Sequence, residues 1–374
     1  MPRKQIPVVV LAGFLGSGKT TLLNHLLTGS RGTRIGAVVN DFGSIEIDAM
    51  AVAGQVDSMI SLGNGCLCCA VDTSELDGLL ERLARPEAGI DVIVIEASGL
   101  AEPQELIRMI LAADSEHIVY GGLVEVVDAA EFARTRAAHP ELDRHIGIAD
   151  LVVLNKADRV TGPGREELLR TLTGLAGGVP VLPVSYGRID PDLLFDRSSR
   201  EDDHRLPRQL SFEDLRGDDD CAAHPHAAYD TVAFTSEEPM DPRRLMEFLD
   251  SRPAGLYRIK GFVHFGVHGY REKYTLHAVG SFLRFQPAPW GRDEPRTTQL
   301  VLIGTGTDPG ALRKELDACR AGGTQDPADD RSMWGILRYV REPERTADQR
   351  DPDEQEPDRW DLGRWDPDQQ DPVE

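Results

Sequence analysis

The sequence predicts an α/β fold: a mostly parallel sheet covered by helices, followed by a smaller α+β domain of order βαβββα. Two observations predict it. Apolar runs of strand length alternate with helical patterns from residue 6 to residue 184, the rhythm of a parallel sheet whose crossovers are helices. The first of these strands also meets its helix through a glycine-rich turn, Gly13-Phe14-Leu15-Gly16-Ser17-Gly18-Lys19-Thr20.

The opening strand is the buried run Pro7-Val8-Val9-Val10-Leu11, and residues 21–27 carry Leu22, Leu23, Leu26 and Leu27 at helical spacing. The turn between them matches Gly-x4-Gly-Lys-Ser/Thr, a phosphate-binding loop in the strand–glycine–helix order it needs. Gly13, Gly16 and Gly18 let the backbone N–H groups around Ser17 and Thr21 face phosphate oxygens. Lys19 reaches the β/γ-phosphates, and the Thr20 hydroxyl ligates Mg²⁺. A plain connecting turn is the weaker reading.

Further strands are expected near 34–40, 56–61, 90–96, 121–127, 151–155 and 180–184, with helices near 74–84, 104–111 and 165–175. The strand at 151 ends in Asn155-Lys156-Ala157-Asp158. In Asn-Lys-x-Asp the carboxylate accepts from the guanine ring N–H and exocyclic amine. Adenine offers neither donor there, so an unpaired carboxylate rejects it. Asn155 is expected to read the other edge of the base, and the Lys156 stem to pack over its face. GTP is therefore expected over ATP.

Between the two nucleotide motifs lies Gly63-Asn64-Gly65-Cys66-Leu67-Cys68-Cys69, which holds three of the five cysteines. The spacing is too tight for a disulfide framework. Thiolates this close repel one another unless a cation neutralises them, and soft sulfur favours Zn²⁺ or Cu⁺. The alternative is a redox or merely buried cluster. A closed zinc site takes four ligands and the motif supplies three at most, which points to an open, exchangeable site.

These motifs, together with Val39-Asn40-Asp41-Phe42-Gly43, Glu96-Ala97-Ser98-Gly99-Leu100-Ala101-Glu102-Pro103 and Val127-Asp128-Ala129, resemble in order the CobW family of GTP-dependent metallochaperones. The resemblance runs from about residue 6 to 320. It implies a P-loop GTPase domain whose nucleotide state is coupled to capture and hand-over of a transition metal, zinc or in some relatives Co²⁺. By resemblance, Glu96 with Ser98 and Gly99 forms the switch that senses Mg²⁺ and the γ-phosphate. Asp48 is the carboxylate of the first switch, near Mg²⁺. Ser185 is a guanine contact, and Asp41 joins Cys66, Cys68 and Cys69 in the metal shell. Two departures bear on the metal: the family has Glu where this chain has Asp41, and a second Glu at Ser44. Cys221, His224 and His226 form a further cluster, read as incidental rather than as a loading site.

Residues 1–195 are thus read as the GTPase domain and 196–228, rich in Asp, Arg, Ser and Glu, as a linker. Residues 229–322 are read as the CobW-type C-terminal domain, with strands near 231–234, 256–265, 273–285 and 298–303 and helices near 242–249 and 309–319. Residues 323–374 form an acidic, Pro-rich tail in which Arg359-Trp360-Asp361 recurs as Arg364-Trp365-Asp366.

A net charge of −22 argues against direct nucleic-acid binding. No 18-residue apolar stretch and no signal peptide is evident, so a cytoplasmic protein with no membrane contact is expected. Three functions compete. The first is a GTP-hydrolysing metallochaperone that passes zinc to a client metalloprotein, with room for a homodimer. The second is a metal- and GTP-responsive protein that recruits a partner such as a ribosome or stress complex. The third, disfavoured by Asn155–Asp158, is a small-molecule kinase.

Overall fold

A computed structural model describes residues 5–30, 32–39, 59–61, 73–99, 102–113, 115–195, 229–321 and 330–340. The first half is a seven-stranded parallel sheet built from β1 (Ile6–Ala12), β2 (Ile35–Val39), β3 (Met59–Ser61), β4 (Val92–Glu96), β5 (Ile118–Asp128), β6 (Leu151–Asn155) and β7 (Val181–Pro183). The strand order is β3-β2-β4-β1-β5-β6-β7. Every strand pair in it is parallel, so all strand C-termini share one edge. Motifs that follow strand ends are thereby gathered at that edge.

Near-continuous Val, Ile and Leu runs mark these strands because both sheet faces are covered. Helices α1 (Lys19–Gly29), α2 (Thr73–Ala84), α3 (Pro103–Ala112), α4 (Phe132–Ala138), α5 (Leu142–Ile148), α6 (Pro163–Ala176) and α7 (Pro191–Leu194) do the covering. Alternate residues divide between the faces. Val8, Val10 and Leu123 pack with Leu80, Leu106, Leu142 and Ile146. Val9, Leu11 and Val124 pack with Leu22, Leu23 and Leu26 of α1. Helices α4 and α5 lie outside the sequence expectation; each is seven residues long, too short to display a helical period.

The second half is an antiparallel sheet of β8 (Asp230–Ser236), β9 (Leu256–Val263), β10 (Lys273–Val279), β11 (Phe282–Ala288) and β12 (Thr298–Gly304), ordered β11-β10-β9-β12-β8. It is packed by α8 (Pro242–Asp250) and α9 (Pro309–Ala318). Asp241 and Asp308 cap these helices by accepting from backbone N–H groups of their first turns, and proline follows each cap, which fits the donor-poor first turn.

The element order is βαββββα, not βαβββα. The expected single strand over 273–285 is two, folded back at Gly280-Ser281, with Val279 opposite Phe282. Gly280 takes φ +52°, which a two-residue hairpin turn demands. Residues 330–340, read from sequence as part of the acidic tail, return to the second sheet: Met333 and Ile336, the latter in α10 (Trp334–Leu337), are fully buried in its core. Residues 196–228 and 341–374 lie outside the described residues. Among the described residues no helix is long and apolar enough to cross a membrane.

The two sheets meet through a polar seam. Asp150, just before β6, accepts from the Tyr120 hydroxyl at 2.6 Å and the Leu123 N–H at 2.8 Å. The Gly280 turn closes on the same carboxylate: a Cβ there would fall 1.7 Å from Asp150 Oδ1. The His277 ring bonds to the Tyr120 carbonyl at 2.9 Å, and Arg258 donates to the Leu194 carbonyl at 2.9 Å. Burial holds the Asp150 carboxyl above its ordinary value, against the bonds from Tyr120 and Leu123. Tyr257, Val279 and Ile303 from the second sheet extend the core under α1.

Candidate functional site

The phosphate loop begins where β1 delivers Gly13. Gly13, Gly16 and Gly18 have φ of +138°, +76° and +102°, values L-residues avoid. Space enforces two of them: a Cβ on Gly13 would meet the Val126 carbonyl at 2.3 Å, and one on Gly18 would meet Asn155 Nδ2 at 2.2 Å. The loop therefore lies hard against β5 and β6. Lys19 is buried and folds across it, donating to the Gly13 carbonyl at 2.8 Å and the Phe14 carbonyl at 3.3 Å. Ser17 is buried and Thr21 exposed.

Thr20 Oγ1 donates to Glu96 Oε1 at 2.7 Å across the C-terminal ends of β1 and β4. Glu96 is only 3 % exposed. A hydroxyl and a carboxylate, both hard oxygen donors beside a phosphate loop, suit Mg²⁺ and not a soft metal. Beyond Glu96, Ser98 is buried, and a Cβ on Gly99 would come 2.7 Å from the Leu15 backbone nitrogen. This segment touches the phosphate loop directly.

On the base side, Lys156 adopts φ +58°. Its ammonium donates to the Gly16 carbonyl and to Asp128 Oδ2, both at 2.6 Å. The other Asp128 oxygen accepts from the Ala130 N–H at 2.9 Å, so Asp128 ends β5 and anchors Lys156 at once. Asn155 has a second engagement beside the base contact expected of it. Its Nδ2 donates to the Ser17 carbonyl and its Oδ1 accepts from the Gly187 N–H, each at 2.9 Å. The amide joins the two loops. Asp158 stands exposed in a single 3-10 turn, Ala157–Arg159. Ser185 is half-buried beside Tyr186, which is 67 % exposed at φ +56°. A Cβ on Gly187 would lie 2.8 Å from the Leu22 backbone nitrogen, so this loop is pressed onto the first turns of α1.

Gly13–Thr21, Glu96, Ser98, Gly99, Asn155, Lys156, Asp158 and Ser185 thus gather at one edge of the sheet. Asp41, Asp48, Cys66, Cys68 and Cys69 lie outside the described residues. Among the described residues no group of three or more His, Cys, Asp or Glu is placed to hold a metal. Two residues had no assigned role in the sequence reading. Asp128 was visible only as part of a motif, although an Asp at a strand end is a recurrent turn former. Glu125 is the one acid inside the apolar run Leu123–Val127. It is fully buried, neither carboxylate oxygen has a hydrogen-bond partner among the described residues, and burial pushes its carboxyl up to about 8, with Lys19 opposing the rise.

The profile of the CobW/HypB/UreG nucleotide-binding domain matches residues 7–183, and that of the cobalamin synthesis protein CobW C-terminal domain matches residues 229–320. The chain belongs to the CobW family. Its similarity to characterised members extends over both halves. The zinc chaperone CobW of Sinorhizobium sp is 30% identical over 359 residues, covering 84% of this chain and 97% of that protein. The zinc chaperone CobW of Pseudomonas aeruginosa is 30% identical over 354 residues, covering 83% and 91%. The zinc chaperone YjiA of Escherichia coli K12 is 28% identical over 313 residues, covering 80% and 94%.

Proposed function

We propose that this CobW-family protein is a GTP-hydrolysing metallochaperone that carries zinc on Cys66, Cys68 and Cys69 and passes it to a client protein. The observation that carries the reading is the single sheet edge that gathers Lys19, Thr20, Glu96 and Asp158, in a chain whose relatives over nearly their full length are named zinc chaperones. Lys19 exchanges the Gly13 and Phe14 carbonyls for β/γ-phosphate oxygens, where its charge stabilises the transition state. Thr20 and Glu96, with Asp48 by resemblance, would hold Mg²⁺, which would supply charge neutralisation on the phosphates. Asp158 selects guanine, while Asn155 and Lys156 hold the two flanking loops at a fixed distance.

The Glu96–Gly99 segment senses the γ-phosphate through its contact with Leu15. Zinc is cargo. Cys66 follows the end of β3 at Ser61 by five positions in the sequence, and in this reading γ-phosphate loss is coupled to zinc release as in GTPase switches generally. Linkage then requires zinc and GTP to change each other's affinity by one factor, about 5- to 150-fold for ordinary couplings.

Competition titration of zinc against a chelator, first with a non-hydrolysable GTP analogue and then with GDP, tests this. Tighter zinc binding in the GTP state is expected, and it should fall to background when Cys66, Cys68 and Cys69 are all changed to Ser. Equal affinities in the two states would leave hydrolysis unable to drive release, and the recruiting reading would take over. Full zinc binding by the triple variant would move the cargo site elsewhere.

A further inference from the structure

Glu125 stands abreast of Ala12 in the β1–β5 pairing, one residue before the phosphate loop opens at Gly13. Its neighbour Val126 supplies the carbonyl against which Gly13 is pressed, and the Gly13 carbonyl in turn holds the Lys19 ammonium at 2.8 Å. It faces the side of the sheet carrying Leu123, Val127, Leu142 and Ile146, away from the Thr20–Glu96 pair. A fully buried carboxyl whose two oxygens have no partner among the described residues costs stability.

We propose that Glu125 is a positioning residue of the nucleotide site: a buried carboxyl behind the phosphate loop that tunes the charge Lys19 presents and takes up a proton from solvent when guanine nucleotide binds. This rests on reading Gly13–Thr20 as a nucleotide site. At and above about pH 8, where Glu125 ionises in the empty loop, it is a counter-charge for Lys19. When phosphates arrive, Lys19 turns its charge to them, and a carboxylate behind it faces added negative charge in a dry environment. Protonation removes the conflict. Among the described residues, the other titratable groups on elements of this face include Tyr120 and Asp128 on β5, Asp150 before β6, Asp77, Glu81 and Arg82 on α2, Glu102 before α3 with Glu105 and Arg108 on it, Arg134 and Arg136 on α4, Asp143, Arg144 and His145 on α5, and Arg165, Glu166, Glu167 and Arg170 on α6. None of them is among the influences on Glu125, which are burial and Lys19.

The experiment is calorimetric titration of GDP into the full chain at pH 8 in two buffers of different ionisation enthalpy. Wild type is expected to take up about half a proton per GDP, since the free carboxyl is then about half ionised. Glu125→Gln is expected to take up none. GDP affinity of wild type is also expected to fall about tenfold more than that of Glu125→Gln between pH 7 and pH 9. Binding with no proton uptake by wild type overturns the inference, whether or not the variant folds. Equal uptake by wild type and variant overturns it too. Failure of wild type to bind GDP at any pH overturns the site reading itself, and the inference with it.

Discussion

Asn155 donates to the Ser17 carbonyl at 2.9 Å while accepting from the Gly187 N–H at 2.9 Å. One buried amide therefore ties the phosphate loop to the loop on the base side. Asn155→Ala breaks both bonds and leaves a buried carbonyl and N–H unpaired, at a cost of about 2–4 kcal/mol. GDP affinity is expected to fall by roughly 30-fold or more, read by titration of a fluorescent GDP analogue. Unchanged affinity would show that the two loops hold position without it.

Asp158 is exposed at the same edge and is free to pair with a base. Asp158→Asn is expected to weaken GTP and GDP binding and to favour xanthosine triphosphate, because the new amide donates to the extra xanthine carbonyl. Side-by-side titration with the two triphosphates measures the preference. No change in preference would sink the guanine assignment.

Gly280 tests the seam between the sheets. Gly280→Ala combines a left-handed φ of +52° with a Cβ directed 1.7 Å from Asp150 Oδ1. Strain alone costs about 1 kcal/mol, and displacing a hydrogen-bonded buried carboxylate adds about 1–3 kcal/mol. Gly306→Ala is the control, since φ is +64° there and nothing lies within 4 Å. Thermal denaturation should place the Gly280 variant well below the Gly306 variant; equal midpoints would mean that the seam yields freely.

Glu125 also predicts a stability profile. Its folded value, about 8, exceeds the ordinary 4.5, so the native state holds a proton that the unfolded chain releases. Its contribution is therefore fully present below pH 4.5 and lost as pH rises through about 8. At about 1.4 kcal/mol per pH unit for one fully linked proton, the loss amounts to a few kcal/mol. Denaturant titrations of wild type and Glu125→Gln at several pH values should show wild type losing ground to the variant over that window and running parallel above it. Parallel curves throughout would mean that Glu125 is ionised or paired in the folded protein.

Much of this arrangement was legible in the residues. Strands covered on both faces are long apolar runs, and a loop that must turn its amides inward needs glycine at fixed places; both leave local marks. What escaped depends on contacts between distant residues. That Asn155 also bridges Ser17 and Gly187 is decided by a neighbour more than 100 positions away. The strand over 273–285 divides at the two-residue turn Gly280-Ser281, a local signal that the reading as one strand passed over; only the fit of Gly280 against Asp150 depends on a distant residue. Helices α4 and α5 are held by Phe132, Leu142 and Ile146 against the sheet, a tertiary effect that overrides weak periodicity. The burial of Met333 and Ile336 was hidden by the charged sequence that follows them.

Strand β5 has one end in each half of the protein. Over 11 residues, about 35 Å of extended chain, it runs from Tyr120 and Gly122, beside His277 and Val279 of the second sheet, to Asp128, which grips Lys156. It acts as a strut. One continuous strand joins the second sheet to the base-side lysine, with neither Glu96 nor the segment after it between them. Whatever holds that sheet in place also holds the start of the segment that ends at Lys156.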